Sequence, residues 1–284
     1  MKKEKLLIVG FGDLGHRLVK LIDTTQYEIC GICRIKRNMP TGVEGIYADA
    51  CDSLQMRSIL ANNYDVVVVT LTPDERNDAN YRRSYVDSVK LLCAQLRQRQ
   101  PRLIIFVSST RVYAQNCGEI VDEKSPTEPR EFAGRRLLEA EQVLLDSGLN
   151  SCVVRFSGIY GRGEGHLLKQ VKAGIGCPSF PVQYSNRIHA DDCAGVLAHL
   201  IDLQRRETLA PVYLATDCEP VSLWELKCWL ARQLGLEEAQ LSQSSDLSRQ
   251  AGSKRCSNQL LLSTGYQFRY PSFRDGYRKV IGPV

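Results

Sequence analysis

This sequence predicts an α/β protein built on a doubly wound parallel sheet, and three observations carry the prediction. Short apolar runs alternate with helical patterns through the first half of the chain. The runs at 66–69 and 103–107 are apolar at every position, as in strands covered on both faces. The opening run ends on Gly10, Gly12 and Gly15, a spacing that turns a strand into a helix.

Taken in order, residues 5–9 form the first strand, and Leu18, Leu21 and Ile22 at helical spacing predict a helix over 15–23. Strands follow at 27–33 and 65–71, with a helix over 54–62 between them. The spacing then predicts a helix over 82–97, a strand at 102–108, a helix over 132–147 and a strand at 151–155. The second half is less regular, with helices expected over 167–173 and 191–203 and a short strand at 212–215. Ser222, with Glu225 three residues on, has the form of a capping box and starts a helix through 234. The polar, serine-rich stretch 238–257 predicts a mobile surface loop. The expected sheet has about seven strands, the last of them near Pro181 and Val212. Residues 1–161 are expected to form the Rossmann-type domain. Residues 162–284 would form a smaller C-terminal substrate lobe, interleaved with the last strands and helices of the sheet.

Composition narrows the function classes. The chain has 284 residues, 43% hydrophobic and 24% charged, which supports a sizeable core and excludes global disorder. A net charge of +5, from 37 basic and 32 acidic residues, is too small and too dispersed to call for nucleic acid or a membrane surface. The longest apolar runs fall far short of the roughly 20 residues of a membrane span. The opening residues lack the apolar region and cleavage site of a secretory signal, so a cytoplasmic location is expected. The 11 cysteines follow no repeating interval, which fits reduced thiols rather than a disulfide scaffold. Cys30 and Cys33 lie three apart in a strand, on opposite faces, and no second pair completes a zinc site, so no metal is expected.

The loop Gly10-Phe11-Gly12-Asp13-Leu14-Gly15 carries the most specific chemistry. Gly10 permits a tight turn, Gly12 lets a pyrophosphate approach the backbone, and Gly15 lets helix and strand pack closely. Amides at the helix start then face the phosphates. The choice of dinucleotide is made about 20 residues further on, at the end of the second strand. There the chain has Cys33-Arg34-Ile35-Lys36-Arg37-Asn38, with no acid until Glu44. An arginine grips a 2′-phosphate that a carboxylate would repel, so NADP is favoured over NAD. Arg34 is the first candidate and Arg37 the second.

Later segments form an ordered series: Phe106-Val107-Ser108-Ser109-Thr110-Arg111-Val112-Tyr113, Val121-Asp122-Glu123-Lys124-Ser125-Pro126, Arg155-Phe156-Ser157-Gly158-Ile159-Tyr160-Gly161 and Arg187-Ile188-His189-Ala190-Asp191-Asp192. With the closing Gly252-Ser253-Lys254-Arg255 and Ser257-Asn258, the series resembles the extended short-chain dehydrogenase/reductases, the NAD(P)-dependent epimerase/dehydratase superfamily. The resemblance spans roughly residues 5–280. It implies that Asp49 lies near the adenine amine, that Thr70, Leu71 and Thr72 line the ribose and phosphates, and that Ser108 belongs to the cofactor site. It also implies a small-molecule substrate and, since members often pair through helices, a homodimer.

The resemblance further implies a serine that polarises the substrate oxygen and a Tyr-x-x-x-Lys pair that moves the proton. Ser109 takes the serine position. Counting back from Glu139-Ala140-Glu141 puts Ala133 and Leu137 where the tyrosine and lysine belong, and a shift of one residue puts Phe132 and Arg136 there. No tyrosine lies between Tyr113 and Tyr160. The glycine loop is G-x-G-x-x-G rather than the G-x-x-G-x-x-G usual in extended members. Tyr113 and Tyr160 are candidate replacement donors, or aromatic packing with satisfied hydroxyls. His189 with Asp191 and Asp192 is a candidate base or metal site, or a packed histidine beside a helix-capping aspartate. Arg155 and Arg187 either hold an anionic substrate or form structural salt bridges. Two functions fit: an NADP-dependent oxidoreductase or epimerase/dehydratase-like enzyme with an altered acid/base site, or a non-catalytic NADP-binding redox sensor.

Overall fold

The computed structural model describes residues 2–36, 38–237 and 253–282. Arg37 and most of the serine-rich stretch lie outside the described residues.

The first strand, β1 (Glu4–Val9), leads through the glycine loop into helix α1 (Asp13–Val19) and then β2 (Tyr27–Cys33). Strands β3 (Val43–Tyr47), β4 (Val66–Val69) and β5 (Leu103–Ser109) follow. The central sheet has seven strands in the order Val212–Ala215, Ser151–Phe156, β5, β4, β1, β2, β3. Every pairing from β5 to β3 is parallel. The strand order reverses at β1, so the crevice beside the carboxyl ends of β1 and β4 is where doubly wound sheets bind ligands. β4 consists of four valines, each 1% exposed or less, because both of its faces are covered.

Four expectations need correction. The strand expected near Pro181 is not in the central sheet: Tyr184–Ser185 pairs antiparallel with Val221–Ser222 in a separate two-stranded ribbon. The seventh strand is instead β3, a half-exposed edge interrupted by Gly45, so its apolar pattern is weak. The serine-rich region is not loop to its end, because Lys254–Cys256 is a strand paired in parallel with Glu119–Val121. In the helix expected over 82–97, residues Arg82–Asp87 are π-helical and the α-helix proper is Ser88–Leu96. Ser222 caps its helix through the Glu225 amide, but the Glu225 carboxylate goes to Arg274, so the reciprocal half of the box is not made. The closed capping box is at Ser272 and Asp275.

The chain forms two compact units, each assembled from three stretches. One comprises residues 1–112, 127–155 and 194–213 and holds the glycine loop. The other comprises 113–126, 156–193 and 214–284. Its core gathers Tyr160, Leu168, Val171, Leu226, Trp229, Phe273 and Tyr277. Among the described residues no helix is long and apolar enough to cross a membrane.

Candidate nucleotide site and the polar clusters

The glycines of the first loop divide the work between closeness and openness. Gly10 has φ +90°, and a Cβ on it would fall 2.9 Å from the Leu71 amide nitrogen, so only glycine fits where β1 passes the end of β4. The Gly10 and Phe11 amides both donate to the Ile32 carbonyl of β2, at 3.1 and 2.7 Å, so the stretch able to face a ligand begins at Gly12. A Cβ on Gly12 would meet only the Gly10 carbonyl oxygen, at 3.8 Å; the space above it is open among the described residues. This is the cradle that a diphosphate close to the backbone requires. Gly12 is the N-cap of α1 and has no side chain to offer Asp13 and Leu14, which begin the helix.

Gly15 serves a different neighbour from the one expected. A Cβ there would lie 3.0 Å from the Phe11 ring, and one on Gly31 of β2 would lie 2.5 Å from it. Phe11, 1% exposed, therefore occupies space that two glycines leave vacant, and Gly31 is a packing residue that the loop motif alone does not reveal. The Thr70 hydroxyl donates to the Gly10 carbonyl at 2.8 Å, locking the loop to the end of β4. Leu71 is half-buried and Thr72 exposed.

Four charged side chains stand at this sheet edge. Both terminal nitrogens of Arg34 engage the Asp74 carboxylate in a bidentate fork. Arg83 donates to Asp49 at 2.5 Å, and Asp49 also accepts the Cys51 amide at 2.9 Å. The fork on Arg34 holds the Asp74 carboxyl below its ordinary range. Burial pushes the Asp49 carboxyl up, but its bonds to Arg83 and the Cys51 amide outweigh this and hold it low. Sequence reading found Arg34 and Asp49 but missed Asp74 and Arg83, which lie far along the chain with no local pattern to mark them.

At the end of β5 the two serines differ. The Ser108 hydroxyl is turned inward onto Glu141, which also holds Arg155 at 2.6 Å, and all three are buried. Ser109 is half-buried, and its hydroxyl accepts the Arg111 amide at 3.3 Å. Arg155 is thus salt-bridged inside the unit, and Glu141 is a partner the sequence did not reveal. In the helix Phe132–Leu145, Ala133 and Leu137 are buried. Arg136 donates to Asp78 and Glu139, each at 2.8 Å, and Phe132 packs edge-on against Tyr81.

In the second unit, the Tyr113 hydroxyl donates to the Asp122 carbonyl at 2.7 Å. The Tyr160 hydroxyl is buried with no hydrogen-bond partner among the described residues, and its ring stacks on Tyr277 at 4.4 Å. Burial pushes its phenol up. His189 is buried between the rings of Tyr160 and Tyr270, and its Nδ1 accepts the Asp191 amide at 3.1 Å. Asp192 does not cap a helix but accepts the Arg269 and Tyr270 amides, at 2.7 and 3.0 Å. Arg187 donates to the Ser185 hydroxyl at 2.7 Å. No group of three or more metal-ligating side chains occurs among the described residues.

A parallel sheet with its order reversed at β1, a strand-to-helix loop opened by Gly12, and a guanidinium beyond β2 define a nucleotide-binding α/β protein. The family model of the RmlD substrate binding domain matches residues 4–281, and the chain belongs to that family. It is 32% identical to a Methylobacillus flagellatus protein described as an NAD-dependent epimerase/dehydratase, over 99% of this chain and 98% of that one, with a TM-score of 0.80. The chain is thus a member of the epimerase/dehydratase group. A human epimerase family protein solved with NADPH shares the fold at 20% identity and a TM-score of 0.75, over 98% of this chain and 99% of that one. Among curated proteins, the 3-diazoavenalumate denitrifying reductase of a Streptomyces species is 22% identical over 96% of this chain and 98% of its own length.

Proposed function

We propose that the protein binds NADP in the cradle over Gly12 and acts as an epimerase/dehydratase-like oxidoreductase on a small polar metabolite. The observation that carries this reading is the pairing of an open cradle at Gly12 with an exposed arginine, Arg34, just beyond the end of β2. The group that fits supplies a hydride donor or acceptor when bound. The loop from Gly12 would hold its diphosphate, Thr70 to Thr72 would border it, and Asp49 and Arg34 would face its adenosine end. The relatives described as NAD-dependent or solved with NADPH support a nicotinamide dinucleotide, and Arg34 supports the phosphorylated form.

The acid/base site is altered. Ala133 and Leu137, buried in their helix, stand where the resemblance expects tyrosine and lysine, so neither position moves a proton. Ser109 is the polar group left to orient a substrate oxygen at the end of β5. Tyr113 commits its proton to the Asp122 carbonyl, which makes it part of the framework. Without a tyrosine, a proton-transfer contribution of roughly 10²–10⁴-fold is absent unless the substrate or water supplies it. Slow turnover at neutral pH is therefore expected.

The test is a titration of the wild type and Arg34→Asp with NADPH and NADH, read by fluorescence or calorimetry. Saturable NADPH binding that Arg34→Asp weakens far more than NADH binding supports the reading. Equal loss of both, or no effect on either, rejects Arg34 as the phosphate reader. A wild type that binds neither rejects the cofactor.

A further inference from the structure

The Arg34 fork that would read a 2′-phosphate already carries an anion of its own. Asp74, on the loop after β4, presents two carboxylate oxygens to both terminal nitrogens of Arg34. A phosphate monoester needs the same fork geometry. Asp74 is 53% exposed and Arg34 41%, so this is a surface pair, which stabilises the fold little and opens readily. Asp49 and Arg83 form a second pair beside it, and Arg83 lies near enough to Asp74 to help hold its carboxyl low. Two guanidinium groups and two carboxylates cancel, leaving this quartet of side chains neutral before any ligand arrives.

We propose that Asp74 is a built-in competitor for the 2′-phosphate and sets how strongly this chain prefers NADP to NAD. The inference rests on the cofactor reading above and deepens it. A dinucleotide without the 2′-phosphate leaves the neutral quartet undisturbed, and Asp74 stays on Arg34. One with it adds nearly two negative charges and must displace Asp74 from the fork. The displaced carboxylate turns toward Arg83, which is already shared with Asp49, so the site carries an uncompensated negative charge. Asp74 thus lowers the selectivity that Arg34 alone would confer, and the wild type accepts both dinucleotides with a modest preference for NADP. Arg83 is the second cation of the site.

The probes are 2′,5′-ADP and 5′-AMP, which differ only in the 2′-phosphate, titrated by calorimetry into the full chain. A melting curve for each variant checks the fold. Asp74→Asn removes the competing charge while keeping the size of the side chain. It is expected to bind 2′,5′-ADP about five- to tenfold more tightly, as expected from removing one like charge at a solvated site, and 5′-AMP within about twofold of wild type. Arg83→Ala is expected to weaken 2′,5′-ADP selectively. If the wild type binds NADPH but Asp74→Asn leaves 2′,5′-ADP unchanged or weaker, the inference is overturned while the cofactor reading stands. Equal tightening of both probes also overturns it. A wild type that binds neither NADPH nor NADH overturns the cofactor reading, and this inference with it.

Discussion

Removing the Glu141 carboxylate takes a charge-assisted partner from two buried groups at the end of β5. Glu141 is 1% exposed, Arg155 5% and Ser108 4%. The Arg155 guanidinium bonds both carboxylate oxygens, through Nε at 3.2 and 3.1 Å and Nη2 at 2.6 Å. Glu141→Ala breaks the buried Arg155–Glu141 pair and takes the Glu141 acceptor from the buried Ser108 hydroxyl, a loss of about 3–5 kcal/mol. At roughly 2–4 °C per kcal/mol for a chain of this size, the melting midpoint should fall by about 6–20 °C. Glu141→Gln keeps an acceptor for Ser108 and should fall between. The double replacement Glu141→Leu with Arg155→Met removes both charges and should cost less than Glu141→Ala alone. Melting and urea midpoints for the four proteins decide the matter. A Glu141→Ala protein within about 1 kcal/mol of wild type, or a double variant worse than either single change, would refute the reasoning.

Three further outcomes are expected. Burial pushes the Asp217 carboxyl up to about 8, and one of its oxygens is buried with no partner among the described residues. Its folded-state pKa thus lies above the unfolded value, so its contribution to stability is full below about pH 4 and is lost as pH rises to about 8. Relative to wild type, Asp217→Asn should gain stability over that window, at up to about 1.4 kcal/mol per pH unit, as urea midpoints from pH 4 to 9 would record. Tyr160→Phe removes a buried hydroxyl with no partner among the described residues and should leave the melting point unchanged or raise it, since such a group costs about 1–3 kcal/mol. Gly276→Ala puts a methyl 1.9 Å from the Tyr160 hydroxyl and should destabilise, less so in the Tyr160→Phe background; additive losses would argue against that contact.

The core of the sheet was legible because buried parallel strands are apolar at every position, as in the four valines of β4 and the run from Leu103. The edge strand β3 was not, because its residues are half-exposed and Gly45 interrupts them. Strands of two or three residues, such as Tyr184–Ser185 and Lys254–Cys256, are too short to show a period. The glycine loop was readable from spacing alone, yet the role of Gly15 depends on Phe11 and Gly31, which only the fold brings together. The charged pairs were hidden for the same reason: Arg34 and Asp74 lie 40 positions apart, and Glu141 and Arg155 lie 14 apart. Sequence supplies the residue types, but pairing over such distances follows from strand order.

The most direct measurement is an NADPH titration of the wild type beside Gly12→Val. Gly12 has φ −113° and open space at its Cβ position, so valine fits the fold while filling the place a diphosphate would take. Saturable heat or fluorescence change in the wild type, abolished in a Gly12→Val protein that melts as before, is the expected result. Undiminished binding by the valine protein would mean that the nucleotide lies elsewhere.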